Sequence, residues 1–107
     1  MTSRDFRRMA LELPGASEGA HMGHADFRVR GKIFATLGYP GAGWGMVKLT
    51  AVQQEFLIKA HSAAYAPANG VWGQRGATLV QLRAVRKADV REALEMAWRN
   101  LAPKRGG

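Results

Sequence analysis

The stretch HADFRVRGKIFATL, residues 24–37, decides the fold of this chain. Apolar and polar side chains alternate on both sides of a central glycine, which is typical of two strands joined in a hairpin. Because the turn has no Asn-Gly or Asp-Gly pair, a two-residue and a three-residue loop are both open. A two-residue loop mixes the faces, whereas a three-residue loop pairs Val29 with Ile33 and gives one apolar face. We therefore expect the three-residue loop, which leaves Arg28 and Phe34 exposed.

The segments around this hairpin are assigned from their hydrophobic period. Three are predicted to be helices because apolar side chains recur every three or four residues: 3–13, about 51–62 and 87–101. The second helix follows a Thr50–Gln53 capping box and has Val52, Phe56 and Ala60 along one stripe. Two further segments alternate as strands, 44–49 and 78–82, and another short strand is expected near Val71. Two segments are expected to be loops, 15–24 and most of 65–77.

The element order is α-β(3)-α-β(2)-α. Antiparallel strands with helices gathered on one side form a two-layer α+β sandwich, here with a five-stranded sheet. Residues 1–107 are expected to form one domain, with 104–107 as a frayed tail. Trp98 lies on the apolar stripe of the last helix, so we expect it to be largely buried against the sheet.

Positive charge is concentrated in the middle of the chain. The formal net charge is +8, and the span 27–87 holds nine basic residues against one acid, Glu55. Such a field attracts polyanions, although the same charge can serve only to keep the protein in solution. The chain has no cysteine and no apolar run near the ~18 residues of a membrane span. We therefore expect a soluble cytoplasmic protein with no membrane partner.

The basic residues of the strands and turns form the expected binding site. Lys32 and Lys48 lie with Arg28 on adjacent strands of one sheet, and Phe34 is expected to share their exposed face. Cations with an exposed aromatic ring can hold a phosphate backbone and stack a base. The predicted nucleic-acid site comprises Arg28, Arg30, Lys32, Phe34, Lys48 and Arg75.

Catalytic and metal chemistry have little support in the sequence. No cysteine is present and no serine lies in a nucleophile elbow, so we expect no enzyme activity. His21, His24 and Asp26 could supply three metal ligands, with His61 as a fourth. Their spacing lies in a loop that leads into a strand rather than on one helix face. We therefore expect neither a metal nor a cofactor.

Glycines recur at every third position from 70 to 76, around Trp72 and Arg75. A glycine-rich loop can approach phosphates closely, but no Lys-Ser or Lys-Thr follows, so this is not a P-loop. We expect instead that the glycines permit tight turns around a packed Trp72.

Four stretches resemble the MmcQ/YjbR family of small bacterial proteins. They are Leu13-Pro14-Gly15 with Glu18 soon after, HMGHADFRVRGKIFATL at 21–37, GVWGQRGATLVQL at 70–82, and Ala97-Trp98-Arg99 followed by Ala102-Pro103. The resemblance spans nearly the whole chain and implies the order α-β(3)-α-β(2)-α in two layers. Members are commonly labelled DNA-binding, their fold resembles that of secretion chaperones, and the family implies no defined catalytic or binding motif.

The expected function is weak DNA binding that is mainly electrostatic and poorly sequence-specific. The alternative is a protein-interaction module with a chaperone-like fold and no nucleic-acid role. A third possibility is a small-ligand site near Trp72 and Tyr65. The expected partners are therefore DNA and possible protein partners, and the expected state is a monomer or weak dimer.

Overall fold

A computed structural model describes residues 1–102 of the chain. These residues form four α-helices and six strands in the order α1 (Ser3–Glu12), β1 (Ser17–His21), β2 (His24–Val29), β3 (Lys32–Leu37), β4 (Trp44–Lys48), α2 (Ala51–Ala60), β5 (Tyr65–Pro67), α3 (Gly70–Gln74), β6 (Ala77–Gln81) and α4 (Lys87–Leu101). A 3₁₀ turn, Leu82–Ala84, precedes α4. The expected frayed tail, 104–107, lies outside the described residues.

The strands form one antiparallel sheet in the order β1-β2-β3-β4-β6-β5. The α+β class and the antiparallel sheet are confirmed, but the sheet has six strands instead of five. The strand missed is β1, which has no large apolar side chain and lies at an exposed edge. It pairs with β2 through its backbone, so hydrophobic alternation gives no sign of it. The strand expected near Val71 is also wrong, since Val71 lies in α3 and the short strand is β5.

The β2–β3 hairpin has the register that alternation disfavoured. Val29 pairs with Lys32, so the loop has two residues, Arg30 and Gly31, with φ of 54° and 76°. Positive φ at both central residues is what a type I′ turn requires, and its twist matches that of the flanking strands. The expected three-residue loop is therefore wrong.

A β-bulge explains how a two-residue loop still yields an apolar core face. Phe27 pairs with Ala35 while Arg28 pairs with Ile33, so Phe34 is an extra residue in β3. The bulge shifts the alternation by one, and Phe34 and Ala35 are both fully buried in the main core.

Helices α1 and α4 pack on one face of the sheet and close the main core. Phe6 of α1 approaches the sheet where β4 has Gly45, since a Cβ at that glycine would lie 3.0 Å from the ring. Trp98 of α4 packs against this core but remains partly exposed, so it is less buried than expected. Its Nε1 donates a hydrogen bond of 2.8 Å to the carbonyl oxygen of Pro14.

Helix α2 begins at the capping box that the sequence indicates, with reciprocal hydrogen bonds between Thr50 and Gln53. Its apolar stripe, however, points to solvent: Val52 is 77% exposed and Phe56 is 65% exposed. The buried side chain of this helix is Leu57.

The second face of the sheet is covered in part by α3. Side chains alternate between the two faces of a strand, and Met46, Ala77 and Leu79 form with Ala68 a small cluster separate from the main core. The expectation that all helices lie on one side is therefore wrong for α3. Among the helices described, none is long and apolar enough to cross a membrane.

Candidate functional site

Two adjoining cavities lie on the second face of the sheet, with volumes of about 470 Å³ and 320 Å³. They share four lining residues, His21, Thr36, Met46 and Trp72, so together they form one continuous depression, here called the sheet groove. Both volumes fall within the ~300–1,000 Å³ typical of small-molecule sites.

One half of the groove is cationic. Its lining includes four basic side chains from four different parts of the chain, Arg28, Lys32, Lys48 and Arg75. Arg28 comes from β2, Lys32 begins β3 and Lys48 ends β4. Because β3 and β4 are antiparallel neighbours, the start of one strand lies beside the end of the other. Arg75 follows directly after α3, which reaches over this face of the sheet.

Arg28 differs from the other three cations because it forms an ion pair with Asp26. The carboxylate accepts two hydrogen bonds from the guanidinium, of 2.8 Å and 3.1 Å, and the Asp26 side chain is fully buried. Gly19 of β1 leaves room for this pair, since a Cβ there would lie 3.0 Å from Asp26 Oδ1. The Arg28 hydrogen bond lowers the pKa of Asp26, against the opposing effect of burial, so the carboxyl is ionised at neutral pH.

Lys32, Lys48 and Arg75 are exposed and provide the uncompensated charge of the groove. Within residues 1–102, no carboxylate lies in ion-pair distance of these three side chains. Like charges that share one concave surface repel each other, so this half of the groove favours an anionic ligand.

The other half of the groove is aromatic and apolar. Its lining includes Met22, His24, Tyr39 and Trp72. The rings of His24 and Tyr39 meet edge to face, with centroids 6.2 Å apart. Trp72 is 56% exposed and Tyr39 is 40% exposed, which is high for side chains of this size.

Helix α3 holds Trp72 at the groove because glycines allow the backbone to pack closely. A Cβ at Gly73 would lie 1.8 Å from the carbonyl oxygen of Ala68, and a Cβ at Gly76 would lie 1.9 Å from that of Leu49. The Gln54 side chain amide also donates to the carbonyl oxygens of Gly73 and Ala77. Gly70 and Gly76 have positive φ, but Gly73 lies within α3 and Trp72 is exposed, so the expectation of tight turns around a packed Trp72 is wrong.

The structure brings together four of the six residues predicted for the site, Arg28, Lys32, Lys48 and Arg75. Arg30 is exposed at the tip of the β2–β3 turn and does not line the groove. Phe34 is fully buried, so its predicted role as an exposed stacking ring is wrong. The physical reason is the β-bulge, which turns Phe34 toward the main core.

The aromatic half was missed by sequence reasoning except for Trp72. Tyr65, the expected neighbour of Trp72, is only 2% exposed and belongs to the main core. The aromatic side chain that lines the cavity with Trp72 is instead Tyr39, from the loop between β3 and β4. A tyrosine among glycines and a proline does not indicate which way its side chain points.

The four residues considered as metal ligands have different surroundings in the structure. His21 pairs with His24 across the β1–β2 turn, while the Asp26 carboxylate is occupied by Arg28. His61 is the C-cap residue that follows α2, and its ring centroid lies 6.2 Å from that of Tyr65. Within the part of the chain that the structure describes, no group of three or more His, Asp or Glu side chains is arranged to hold a metal ion.

Comparison with known proteins gives a family and a fold. The model of the YjbR family matches residues 11–100. The crystal structure of Deinococcus radiodurans protein DR2400, which has a DUF419 domain, is similar to this chain with a TM-score of 0.77 and 21% identity over 91% of this chain and 75% of that one. No curated protein matches. Because the matched region covers most of the chain, including all six strands, α2, α3 and nearly all of α4, the chain belongs to the YjbR family.

Proposed function

We propose that this protein binds nucleic acid weakly and without sequence preference, through the cationic half of the sheet groove. The observation that supports this proposal is the convergence of Arg28, Lys32, Lys48 and Arg75 on one cavity of about 470 Å³. The proposed role is that of a binding protein rather than an enzyme. We propose that it acts in the cytoplasm, since a chain without cysteine fits a reducing compartment and nucleic acid is available there.

Phosphate contact accounts for the expected lack of sequence preference. Lysine and arginine side chains that bind phosphates release counterions from the polyanion, and this contribution is the same for every base sequence. With phosphate contacts from the three uncompensated cations, Lys32, Lys48 and Arg75, the slope of log K against log salt is expected to be roughly −2.7 for duplex DNA.

A salt titration with charge-matched variants tests the proposal. Binding to random duplex and single-stranded DNA is measured by fluorescence anisotropy over a series of salt concentrations. Replacing both Lys32 and Lys48 with glutamine should make the slope shallower by roughly two units. Replacing Lys59 and Arg86, which lie outside the groove, changes the net charge equally and should leave the slope nearly unchanged.

Two results would contradict the proposal. Equal effects of the two double variants would mean that net charge alone drives the association. Absence of binding to any nucleic acid at low salt would favour the alternative, a protein-interaction module. The exposed Val52 and Phe56 on α2 are the features consistent with that alternative. It predicts self-association or partner binding that weakens when both are replaced with serine.

A further inference from the structure

We propose that the aromatic half of the groove binds a nucleobase, so that the groove as a whole recognises one nucleotide unit of an unpaired strand. This inference rests on the proposed function, because the phosphate of the same unit would lie in the cationic half. It adds a ligand class to that function, since the faces of the bases are covered by stacking in duplex DNA and are accessible in an unpaired strand.

The aromatic half has the surfaces that a base requires. The Trp72 and Tyr39 side chains are substantially exposed although they border a cavity of about 320 Å³. Met22 is 85% exposed at the same cavity, and a thioether adapts its shape to a planar ring. Stacking of a base on an aromatic side chain is sequence-tolerant because every base has a π-face.

Polar groups at the junction of the two halves match the polar edge of a base. His21 and Thr36 line both cavities. Imidazole and hydroxyl groups can donate to or accept from ring nitrogens and exocyclic oxygens. A hydrocarbon ligand would leave these groups without partners, which is unfavourable.

The continuity of the groove favours one ligand that is anionic at one end and planar at the other. Trp72 borders both cavities, while Arg75 lies three residues later in the cationic half. A base that stacks on Trp72 therefore has its own sugar and phosphate directed toward cations that are already in place. A phosphate alone, or an aromatic group alone, would fill only one half.

Three ligands separate the base contribution from the charge contribution. An oligothymidylate, an abasic oligomer of the same length and thymidine monophosphate are titrated into the full chain, with tryptophan fluorescence and anisotropy as readouts. The oligothymidylate should bind at least about tenfold more tightly than the abasic oligomer and quench the fluorescence of Trp72. Binding of the monophosphate that depends on Trp72 would identify a free nucleotide as a second source of the same ligand.

Substitutions in α3 provide matched controls. Trp72→Ala should weaken oligothymidylate binding about tenfold and leave abasic binding unchanged, while Trp72→Phe should restore most of the affinity. Val71→Ala changes an exposed neighbour that does not line the groove and should have no effect. Circular dichroism of each variant checks that the fold is retained.

The outcomes distinguish this inference from the proposed function. Equal affinity for the thymidine and abasic oligomers, unaffected by Trp72→Ala, would overturn the base site and leave electrostatic binding intact. If none of the three ligands binds while duplex DNA does, the base site is wrong and the proposed function stands; if duplex DNA also fails to bind, both proposals are wrong.

Discussion

At the scale of single residues, the Asp26–Arg28 pair shows how burial changes what a charge does. Its two members are neighbours on one strand face, yet the Asp26 side chain is fully buried and that of Arg28 is 40% exposed. The pair lowers the effective charge of the groove and fixes the direction of the guanidinium. Their spacing is visible in the sequence, but only the tertiary structure shows that β1 lies beside β2 with Gly19 opposite Asp26, where the carboxylate is buried.

Replacement of Arg28 with methionine should change how the free energy of unfolding depends on pH, compared with the native protein. In the native protein the lowered pKa of Asp26 contributes stability that is complete above about 3.8, its unperturbed value, and is lost as the pH falls through the lowered pKa. Without Arg28 the buried carboxylate keeps the backbone amide of Gly19 as a hydrogen-bond partner but loses its cation, so its pKa rises. The variant should therefore be much less stable than the native protein at neutral pH, and the deficit should shrink on acidification toward about pH 5.

Urea unfolding at several pH values measures this effect. Lys32→Met removes a cation from the same groove without stranding a carboxylate, so any change in its free energy of unfolding should be independent of pH over the same range. A deficit of Arg28→Met that is independent of pH would mean that Asp26 is hydrated in the variant.

At the scale of secondary structure elements, close backbone packing of α3 matters more than helix propensity. Alanine is favoured over glycine in a helix by about 1 kcal/mol. In Gly73→Ala, however, the new Cβ would meet a backbone carbonyl at 1.8 Å, and neither backbone can yield easily. Overpacking of this kind costs about 1–3 kcal/mol or more. We therefore expect Gly73→Ala to lower the free energy of unfolding by about 2 kcal/mol and to displace Trp72.

The matched control for this prediction is Gly41→Ala. Gly41 has open space around it and no positive φ, so the change in stability should stay within about 0.5 kcal/mol. Thermal denaturation and tryptophan emission of both variants provide the measurement. Stabilisation by Gly73→Ala would show that α3 is not held against Ala68 as described.

Helix α2 illustrates why periodicity predicts the position of a helix in the sequence better than it predicts which face of that helix is buried. The capping box and the bounds of this helix were visible in the sequence. The buried face of the helix was harder to assign. Val52 and Phe56 suggest a buried stripe, whereas the side chains that face the rest of the fold are Leu57 and the polar Gln54. A helix that docks through side chain amides to backbone carbonyls leaves no clear hydrophobic pattern.

At the scale of the whole molecule, Trp98 connects the last helix, α4, to the segment that follows the first helix, α1. Its indole packs against the main core and donates to Pro14, 84 positions earlier in the sequence. We expect Trp98→Ala to cost about 2–3 kcal/mol, less than a fully buried tryptophan because the ring is partly exposed. Trp98→Phe should keep most of the packing and lose about 1 kcal/mol with the hydrogen bond.

Equilibrium unfolding in urea measures both Trp98 variants, with Val52→Ala on the exposed side of α2 as the neutral control. Equal costs for the alanine and phenylalanine variants would mean that the hydrogen bond to Pro14, and not the packing of the ring, provides the stabilisation.

The sequence by itself determined the α+β class, the approximate bounds of three helices, the capping box of α2, and the identity of the four cations in the groove. These follow from local periodicity and from where charge accumulates along the chain. Only the tertiary structure decided the β-bulge that buries Phe34, the exposed edge strand β1, and the meeting of Trp72 with Tyr39. The reason is that backbone pairing and loop direction are set by contacts between distant segments, and such contacts leave no periodic trace in the residues that make them.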